Sequence, residues 1–326
     1  MFSELIDVKE NNIINIDYEI LSILLKDRTT NKNIIWATDN YEFHGPGYRF
    51  SEEITPSKIT SHYGRIIRPR IKKGKTEQEI RIKKNAEVFT PSWICNEQIN
   101  LIDEDWFKRE NVFNKSTNKK WVTNNNKIEF SRENSWQDYI KSLRMEITCG
   151  EAPYLVSRYD TVTGNVIELK DRIGFLDRKF RVIKENTTTI NEWLDYAKIA
   201  IQSIYGYDWQ GDNVLLAREN ILYTYIDYYK DRFNKNPSLE LVKEIATIIS
   251  WNIWQMDGIK YVIPNSCENK KNKYVQVSLF GETALNNSEC IGCKKNDPYQ
   301  HQGTYCVIMN WTTHKKNKFV NLINKK

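Results

Sequence analysis

The chain lacks an apolar run of the roughly 18 residues that a membrane helix needs. It also lacks, at its start, the basic segment and apolar stretch that mark a signal peptide. No internal repeat or low-complexity tract is present, and 40% hydrophobic with 28% charged residues is typical of a folded chain. These absences predict a soluble, globular protein of the cytoplasm with no membrane partner.

A large excess of either charge is also missing, because the net charge is only +6. The basic residues are nevertheless clustered, since residues 65–84 contain nine of them and only two acidic residues. Clustering, more than the total, indicates a surface that follows a phosphate backbone. We therefore expect this run to contact DNA. A lysine-rich solvated surface is an equally good interpretation.

At 326 residues the chain has room for one large domain or two modest ones. We expect a mixed α+β segment over 1–84, an α/β domain over 85–262 and a cysteine-rich segment over 263–326. From about 136 to 258, helical patterns alternate with apolar strands, which predicts a parallel sheet. Helices are expected at 76–84, after Pro91, at 136–143, at 191–203 and at 239–247, and strands at 34–38 and in the apolar run 248–257.

Three acidic residues, Glu146, Asp208 and Asp257, lie at or near the ends of predicted strands in this α/β region. The carboxyl ends of parallel strands meet along one crevice, where open α/β sheets bind ligands. A carboxylate there can accept hydrogen bonds from ribose hydroxyls, from an exocyclic amine or from a cationic amino-acid group. Each residue taken alone is more simply explained as a polar residue at a strand exit.

Four short elements occur in the order typical of one enzyme family. Phe89-Thr-Pro91 precedes a helix, and residues 145–155, Met-Glu-Ile-Thr-Cys-Gly-Glu-Ala-Pro-Tyr-Leu, form a strand and turn. The strand Tyr205-Gly-Tyr-Asp208 leads into another helix, and residues 252–258, Asn-Ile-Trp-Gln-Met-Asp-Gly, follow. Over about residues 85–260 the chain therefore resembles the adenine-specific, amino-methylating DNA methyltransferases of restriction-modification systems.

The resemblance implies a Rossmann-like class I methyltransferase sheet that binds S-adenosylmethionine, with DNA as the partner. Asp208 would hold the ribose, Glu146 the methionine end and Asp257 the adenine amine. The element from Phe89 to Pro91 would close over the ligand. The implied cofactor-binding residues are Phe89, Thr90, Pro91, Glu146, Cys149, Gly150, Asp208, Trp209 and Asp257.

Two departures from the family affect the cofactor turn. Its second glycine is replaced by Ala152, followed by Pro153, although glycine is normally needed where main chain approaches a ligand. Glu146 and Asp208 are also 208 − 146 = 62 residues apart, more than a strand, a helix and a strand require. We interpret residues 156–186 as an insertion.

The largest departure is the missing catalytic tetrapeptide of the family, Asn/Asp/Ser-Pro-Pro-aromatic, which hydrogen-bonds the target amine and stacks on the flipped base. The only related sequence is Asn296-Asp-Pro-Tyr299, and Asn-Asp-Pro favours a turn. The catalytic residues are therefore unknown. We expect a truncated or split adenine methyltransferase without this motif. The alternative is a non-catalytic subunit that binds cofactor or DNA and is completed by a second polypeptide.

Four of the six cysteines, Cys267, Cys290, Cys293 and Cys306, are spaced as C-x22-C-x2-C-x12-C. A Cys-x2-Cys pair lets two thiolates hold one tetrahedral metal, and zinc is the expected use in a reducing cytosol. His301 is a substitute ligand. Unrelated cysteines in a surface excursion are the alternative.

Asp160, Glu168 and Lys170 have the residue types of a metal-dependent nuclease. A hairpin around Gly164 explains them more simply, because Thr-Gly-Asn is a turn signal. The nuclease is therefore the third interpretation of the chain.

Overall fold

The computed structural model describes residues 6, 7, 9–267 and 290–323, and over these ranges the protein is a mixed α/β structure. The helices are α1 (Glu10–Ile16), α2 (Tyr18–Leu25), α3 (Pro56–Ile59), α4 (Lys75–Asn85), α5 (Ser92–Phe107), α6 (Trp136–Lys141), α7 (Phe175–Asn186), α8 (Ile190–Gln202), α9 (Gly211–Phe233), α10 (Leu239–Asn252) and α11 (Ile291–Lys295). The strands are β1 (Asn114–Thr117), β2 (Lys120–Thr123), β3 (Arg144–Ile147), β4 (Ile204–Asp208), β5 (Ile253–Gln255), β6 (Val307–Asn310) and β7 (Lys315–Lys318). No helix of the described ranges is both long and apolar enough to span a membrane.

Three parallel strands in the order β3-β4-β5 form the central sheet. Arg144 pairs with Ile204, and Tyr207 pairs with Trp254. Parallel strands need crossover connections, which α7 and α8 supply between β3 and β4, and α9 and α10 supply between β4 and β5. The parallel sheet predicted over 136–258 is therefore confirmed. Two antiparallel hairpins, β1-β2 and β6-β7, lie outside it.

β4 is the middle strand, and all five of its residues are buried. At Gly206 a Cβ atom would lie 3.2 Å from Cδ1 of Ile253 and 3.3 Å from Cβ of Cys149. Glycine is favoured here because both neighbouring segments approach the backbone closely. α9 begins three residues after β4 ends and is buried along most of its length. β4 and α9 together therefore position the carboxyl end of the sheet.

Two predicted strands differ from the structure. The apolar run from residue 248 continues α10 as far as Asn252, because α10 is enclosed by α2, α8 and α9 and apolar residues surround its last turns. The segment 34–38 forms no strand among the described residues. Its Ile35 is instead held by the side chain of Gln255, whose Oε1 lies 2.9 Å from the Ile35 nitrogen and whose Nε2 lies 2.8 Å from the Ile35 oxygen.

Residues on both sides of the predicted boundary at residue 84 share one core cluster, which includes Ile13 and Ile253. Arg218 of α9 is fully buried in it and donates hydrogen bonds to the carbonyls of Lys26 at 3.0 Å and Ile253 at 2.8 Å. The domain boundaries stay a prediction. The N-terminal residues nevertheless pack against the same helix that follows β4.

A buried carboxylate joins the N-terminal residues to the start of α9. Asp212 lies in the first turn of α9 and is 1% exposed. Its Oδ2 accepts hydrogen bonds from Tyr41 Oη and Arg81 Nη2, both at 2.7 Å, and lies 3.4 Å from Lys73 Nζ. Burial opposes ionisation, but Arg81 and Lys73 outweigh it and hold the pKa of Asp212 well below its usual value. Lys73 and Arg81 belong to the run 65–84 that was expected to contact DNA, and both are instead buried beside Asp212.

Replacing Asp212 by asparagine should lower the free energy of unfolding by about 3–5 kcal/mol, because Arg81 and Lys73 would stay buried without a counter-charge. Urea unfolding followed by circular dichroism measures the loss. Asp105→Asn is the matched control, since Asp105 forms an ion pair with Lys108 at 2.7 Å on the exposed surface. Equal unfolding midpoints for the two variants would contradict the role of the buried carboxylate.

Candidate functional site

A cleft of about 1740 Å³ opens at the carboxyl ends of β3 and β4. Its walls come from the N-terminal residues 37–50, from α4 and the residues 86–90 after it, from the loop after β3, and from the start of α9. Parallel strands place their loops at the same edge of a sheet, so segments distant in sequence meet here.

Seven of the nine predicted cofactor-binding residues line this cleft, and they are Phe89, Thr90, Glu146, Cys149, Gly150, Asp208 and Trp209. Pro91 does not line it and stands at the start of α5. Asp257 does not line it either. Its carboxylate accepts the amides of Ile259 at 2.9 Å and Lys260 at 3.0 Å and so closes a turn after β5.

Asp208 is the acidic residue that lines the cleft at the end of β4. Its Oδ2 accepts the Gly150 amide at 2.9 Å, and its Oδ1 accepts the Gln210 amide at 2.9 Å. Burial raises the pKa of Asp208 to about 6, against the effect of these hydrogen bonds. A carboxylate has about four lone-pair sites. Asn213 Nδ2 also donates to Oδ1 at 3.4 Å, so Asp208 joins two loops and keeps one site for a ligand hydroxyl.

Glu146 lies beneath the loop that follows β3. It is 8% exposed, and its Oε2 accepts the Leu155 amide at 3.2 Å. Burial raises the pKa of Glu146 well above its ordinary value, and the nearby Asp208 carboxylate adds to the rise. Glu146 thus holds the loop in shape from within.

The loop after β3 contains left-handed backbone at Thr148 (φ 48°), Gly150 (φ 52°) and Ala152 (φ 63°). A Cβ atom at Gly150 would lie 3.3 Å from the ring of Phe89, so glycine lets that ring cover the loop. Ala152 stands where the resembled family has glycine. It has the left-handed backbone that favours glycine, and it is fully buried. Each non-glycine residue of this kind costs about 1–3 kcal/mol, and such strain is concentrated at ligand sites.

Three lining residues that the sequence did not indicate as ligand groups carry buried polar atoms. Thr38 Oγ1, Arg81 Nη1 and Asn213 Oδ1 have no hydrogen-bond partner within the described part of the chain. Buried polar groups are normally paired, so these atoms are suited to a polar ligand. The one signal for Asn213 was its position in the first turn of α9, five residues after Asp208.

A second candidate site lies in the C-terminal segment. Cys267, Cys290, Cys293 and His301 bring their ligand atoms within 4.8 Å of one another, and His301 Nδ1 is 3.7 Å from the sulfur of Cys290 and of Cys293. Three sulfurs and one imidazole form a common tetrahedral zinc set. This cluster could hold such an ion.

Two glycines keep the cluster compact. A Cβ atom at Gly292 would lie 2.7 Å from His301 Nδ1, and one at Gly303 would lie 2.8 Å from Cys267 Sγ. The Gln302 amide donates to Cys290 Sγ at 3.2 Å. Burial opposes the thiolate, but this amide and His301 outweigh it and lower the pKa of Cys290 to about 6. The thiolate form that binds metals is therefore favoured at Cys290, whereas burial raises the pKa of Cys267 to about 12.

Cys306, the last member of the predicted four-cysteine set, lies outside the cluster, and His301, the substitute ligand, stands in it. The thiol of Cys306 is fully buried against the sheet and donates to the Gln255 carbonyl at 3.4 Å. The chain turns back over α11 before it reaches β6, and this turn brings His301 to the ligand position. Spacing alone did not distinguish the two candidates.

Two weaker motifs are turns. Asp160 accepts the amides of Ser92 at 2.7 Å and Thr163 at 2.6 Å, which fits the predicted hairpin more closely than a nuclease site. Asp297 likewise accepts the Tyr299 amide at 2.9 Å, so residues 296–299 form the predicted turn. None of these residues lines the cleft.

No family model, curated protein or solved structure matches the chain. The cleft offers a carboxylate, an amide, a hydroxyl and a guanidinium around aromatic side chains. The cluster offers three thiols and an imidazole.

Cys290→Ser should remove zinc from the purified protein, whereas Cys306→Ala should retain one zinc ion per chain, because only the first change deletes a cluster sulfur. Elemental analysis after gel filtration measures the metal content. Zinc lost from both variants would restore the four-cysteine set, because Cys290 belongs to both ligand sets and Cys306 only to that one.

Proposed function

We propose that the chain binds S-adenosylmethionine in the cleft and is the cofactor-binding part of an adenine-specific DNA methyltransferase of a restriction-modification system. The observation that carries the proposal is the meeting of seven predicted cofactor-binding residues, from Phe89 to Trp209, around one cleft. These residues come from three separate segments. Three of the four elements that carry the resemblance contain a strand, and in the order β3-β4-β5 these strands are neighbours.

The cleft residues fit the chemical groups of this cofactor. Asp208 would accept a hydrogen bond from a ribose hydroxyl, as a strand-end carboxylate does in other nucleotide sites. Asn213 Oδ1, without a partner among the described residues, would accept a further donor. Phe89, held over Gly150, would cover the apolar part of the ligand. When bound, the cofactor supplies a methyl group on a sulfonium.

Glu146 would support the cofactor by holding the loop after β3 in place more than by contacting the ligand, since its Oε2 accepts the Leu155 amide. Asp257 has the same limitation, because its turn amides occupy Oδ1. The roles that the resemblance implies for these two residues are therefore the least supported. The ribose role of Asp208 is the best supported.

The second candidate is a non-catalytic subunit completed by another polypeptide. It is favoured by the open edge of β3, which pairs only with β4 among the described strands. Met145 is 43% exposed and Ile147 is 64% exposed along that edge, beside the cleft. An unpaired strand with apolar side chains is a template for another strand. The chain also has no Asn-Pro-Pro-Tyr sequence.

Asp208→Asn should weaken S-adenosylmethionine binding about tenfold or more, because a hydrogen bond to a charged group contributes roughly 1.5–3 kcal/mol. Isothermal titration calorimetry measures the affinity. Asp257→Asn is the matched control and should bind normally, since Asp257 does not line the cleft. Equal losses in both variants would contradict the assignment of the cleft.

The affinity should also depend on pH. Asp208 must be ionised to accept from a ribose hydroxyl as well as from the protein amides, and burial raises its pKa to about 6 in the free protein. Affinity should therefore be level above pH 7 and fall about tenfold per pH unit well below pH 6. The same rise in pKa means that ionisation costs folding free energy as pH increases from about 4 to 6. An Asp208→Asn variant that kept the full pH dependence would refute this assignment.

Methyl transfer separates the two candidates. Tritiated S-adenosylmethionine is incubated with the purified chain and adenine-containing DNA. Label in DNA from this chain alone rules out the non-catalytic subunit. Cofactor binding with transfer only after addition of a second polypeptide that carries the tetrapeptide supports it.

A further inference from the structure

The β6-β7 hairpin directs cations toward solvent on one face. Lys316 and Lys318 of β7 are exposed, and their register partners on β6 are Met309 and Val307. Side chains alternate along a strand, so these four share a face. Ile308, which is 6% exposed, turns the opposite way into the core.

An aromatic ring lies under each of these lysines. Lys316 Nζ is 5.1 Å from the ring centroid of Trp251, and the Arg28 guanidinium lies 5.6 Å from the same centroid. Lys318 Nζ is 5.5 Å from the ring centroid of Tyr305. Cation–π contacts of this kind restrain a cation without neutralising its charge. We call these three cations and two rings the cationic strip.

The strip adjoins the Cys3His cluster. Tyr305 Oη accepts the His301 amide at 2.8 Å, so one end of the strip is tied to a cluster ligand. Lys294 and Lys295 are exposed at the end of α11 beside it. Residues 290–323 contain five lysines and a single acidic residue. The surroundings of the strip are therefore also positive.

The two lysines of the strip are exposed and available, unlike several cations in the run 65–84, whereas Arg28 is half-buried and donates from Nε to Ser250 Oγ at 2.7 Å. That run uses Lys73 and Arg81 in buried pairs with Asp212, and Arg68 lies 3.0 Å from Glu77. Across residues 9–267 and 290–323, no carboxylate forms an ion pair with a strip cation. The strip therefore offers lysine charges for an external anion.

We infer that the cationic strip binds the phosphate backbone of a nucleic acid. Two residues along a strand advance roughly 6.8 Å, which is twice the roughly 3.4 Å rise per nucleotide of one DNA strand. A row of restrained lysines beside aromatic rings suits a repeating polyanion with bases more than an isolated carboxylate. The inference deepens the proposed function by naming a surface for its DNA, and it shares no residue with the cleft.

The test is fluorescence anisotropy with a labelled duplex of mixed sequence, titrated with the full chain at several salt concentrations. Lys316→Gln/Lys318→Gln should weaken binding roughly tenfold and reduce the slope of log K against log salt by about 2. Lys141→Gln/Lys235→Gln is the charge-matched control, since both lysines are exposed elsewhere. It should leave the affinity and the slope unchanged.

Lys316→Arg/Lys318→Arg should bind like the unaltered chain, and circular dichroism and zinc content verify that each variant is folded. Equal effects of the strip and control variants would overturn the inference, as would equal competition by polyglutamate and unlabelled duplex. S-adenosylmethionine titrated into the same proteins separates the two proposals. A chain that binds duplex through the strip but no cofactor refutes only the cleft assignment, and the converse refutes only the strip.

Discussion

The buried ion pair between Asp212 and Arg81 determines where one wall of the cleft stands. Arg81 reaches Asp212 through Nη2 and Glu87 through Nε, both at 2.7 Å, and Glu87 in turn accepts from Gln210 at 2.7 Å. Charges removed from water are tolerated only when they are paired, so these contacts fix α4 against the start of α9. Asp212, in the first turn of α9, follows Asp208, the last residue of β4, by four residues. The contact that secures the N-terminal residues therefore also secures the residue best placed to bind a ligand.

The C-terminal segment covers the sheet unevenly. The ring centroid of Phe319 lies 5.3 Å from that of Trp254 and 6.1 Å from that of Tyr207, so Phe319 covers one face of β4 and β5. The same face of β3 keeps Met145 and Ile147 exposed. The cleft consequently has firm walls on the side of β4 and an open side at β3. This asymmetry leaves the β3 side of the cleft open to solvent.

Local patterns predicted much of the fold and part of the site. The helix at α4 and the helix after Pro91 were visible in periodicity, because helical contacts join residues near one another in sequence. The parallel sheet was indicated by the alternation of helical patterns with apolar strands. The strand-end position of Asp208 likewise indicated a ligand residue. The contact of Gln255 with Ile35 and the choice of His301 over Cys306 were not visible, because they join segments that only the tertiary fold brings together. The end of α10 was missed because a helix buried all round loses its polar face.

The most direct test of the account is hydrogen–deuterium exchange with and without S-adenosylmethionine. A ligand in the cleft should slow amide exchange in three segments, residues 86–91, 148–154 and 208–213, because these surround it. Amides of the β1-β2 hairpin, whose residues do not line the cleft, should exchange unchanged. Protection in all three segments is the result the account predicts. No protection at saturating cofactor, or protection confined to other segments, would contradict it.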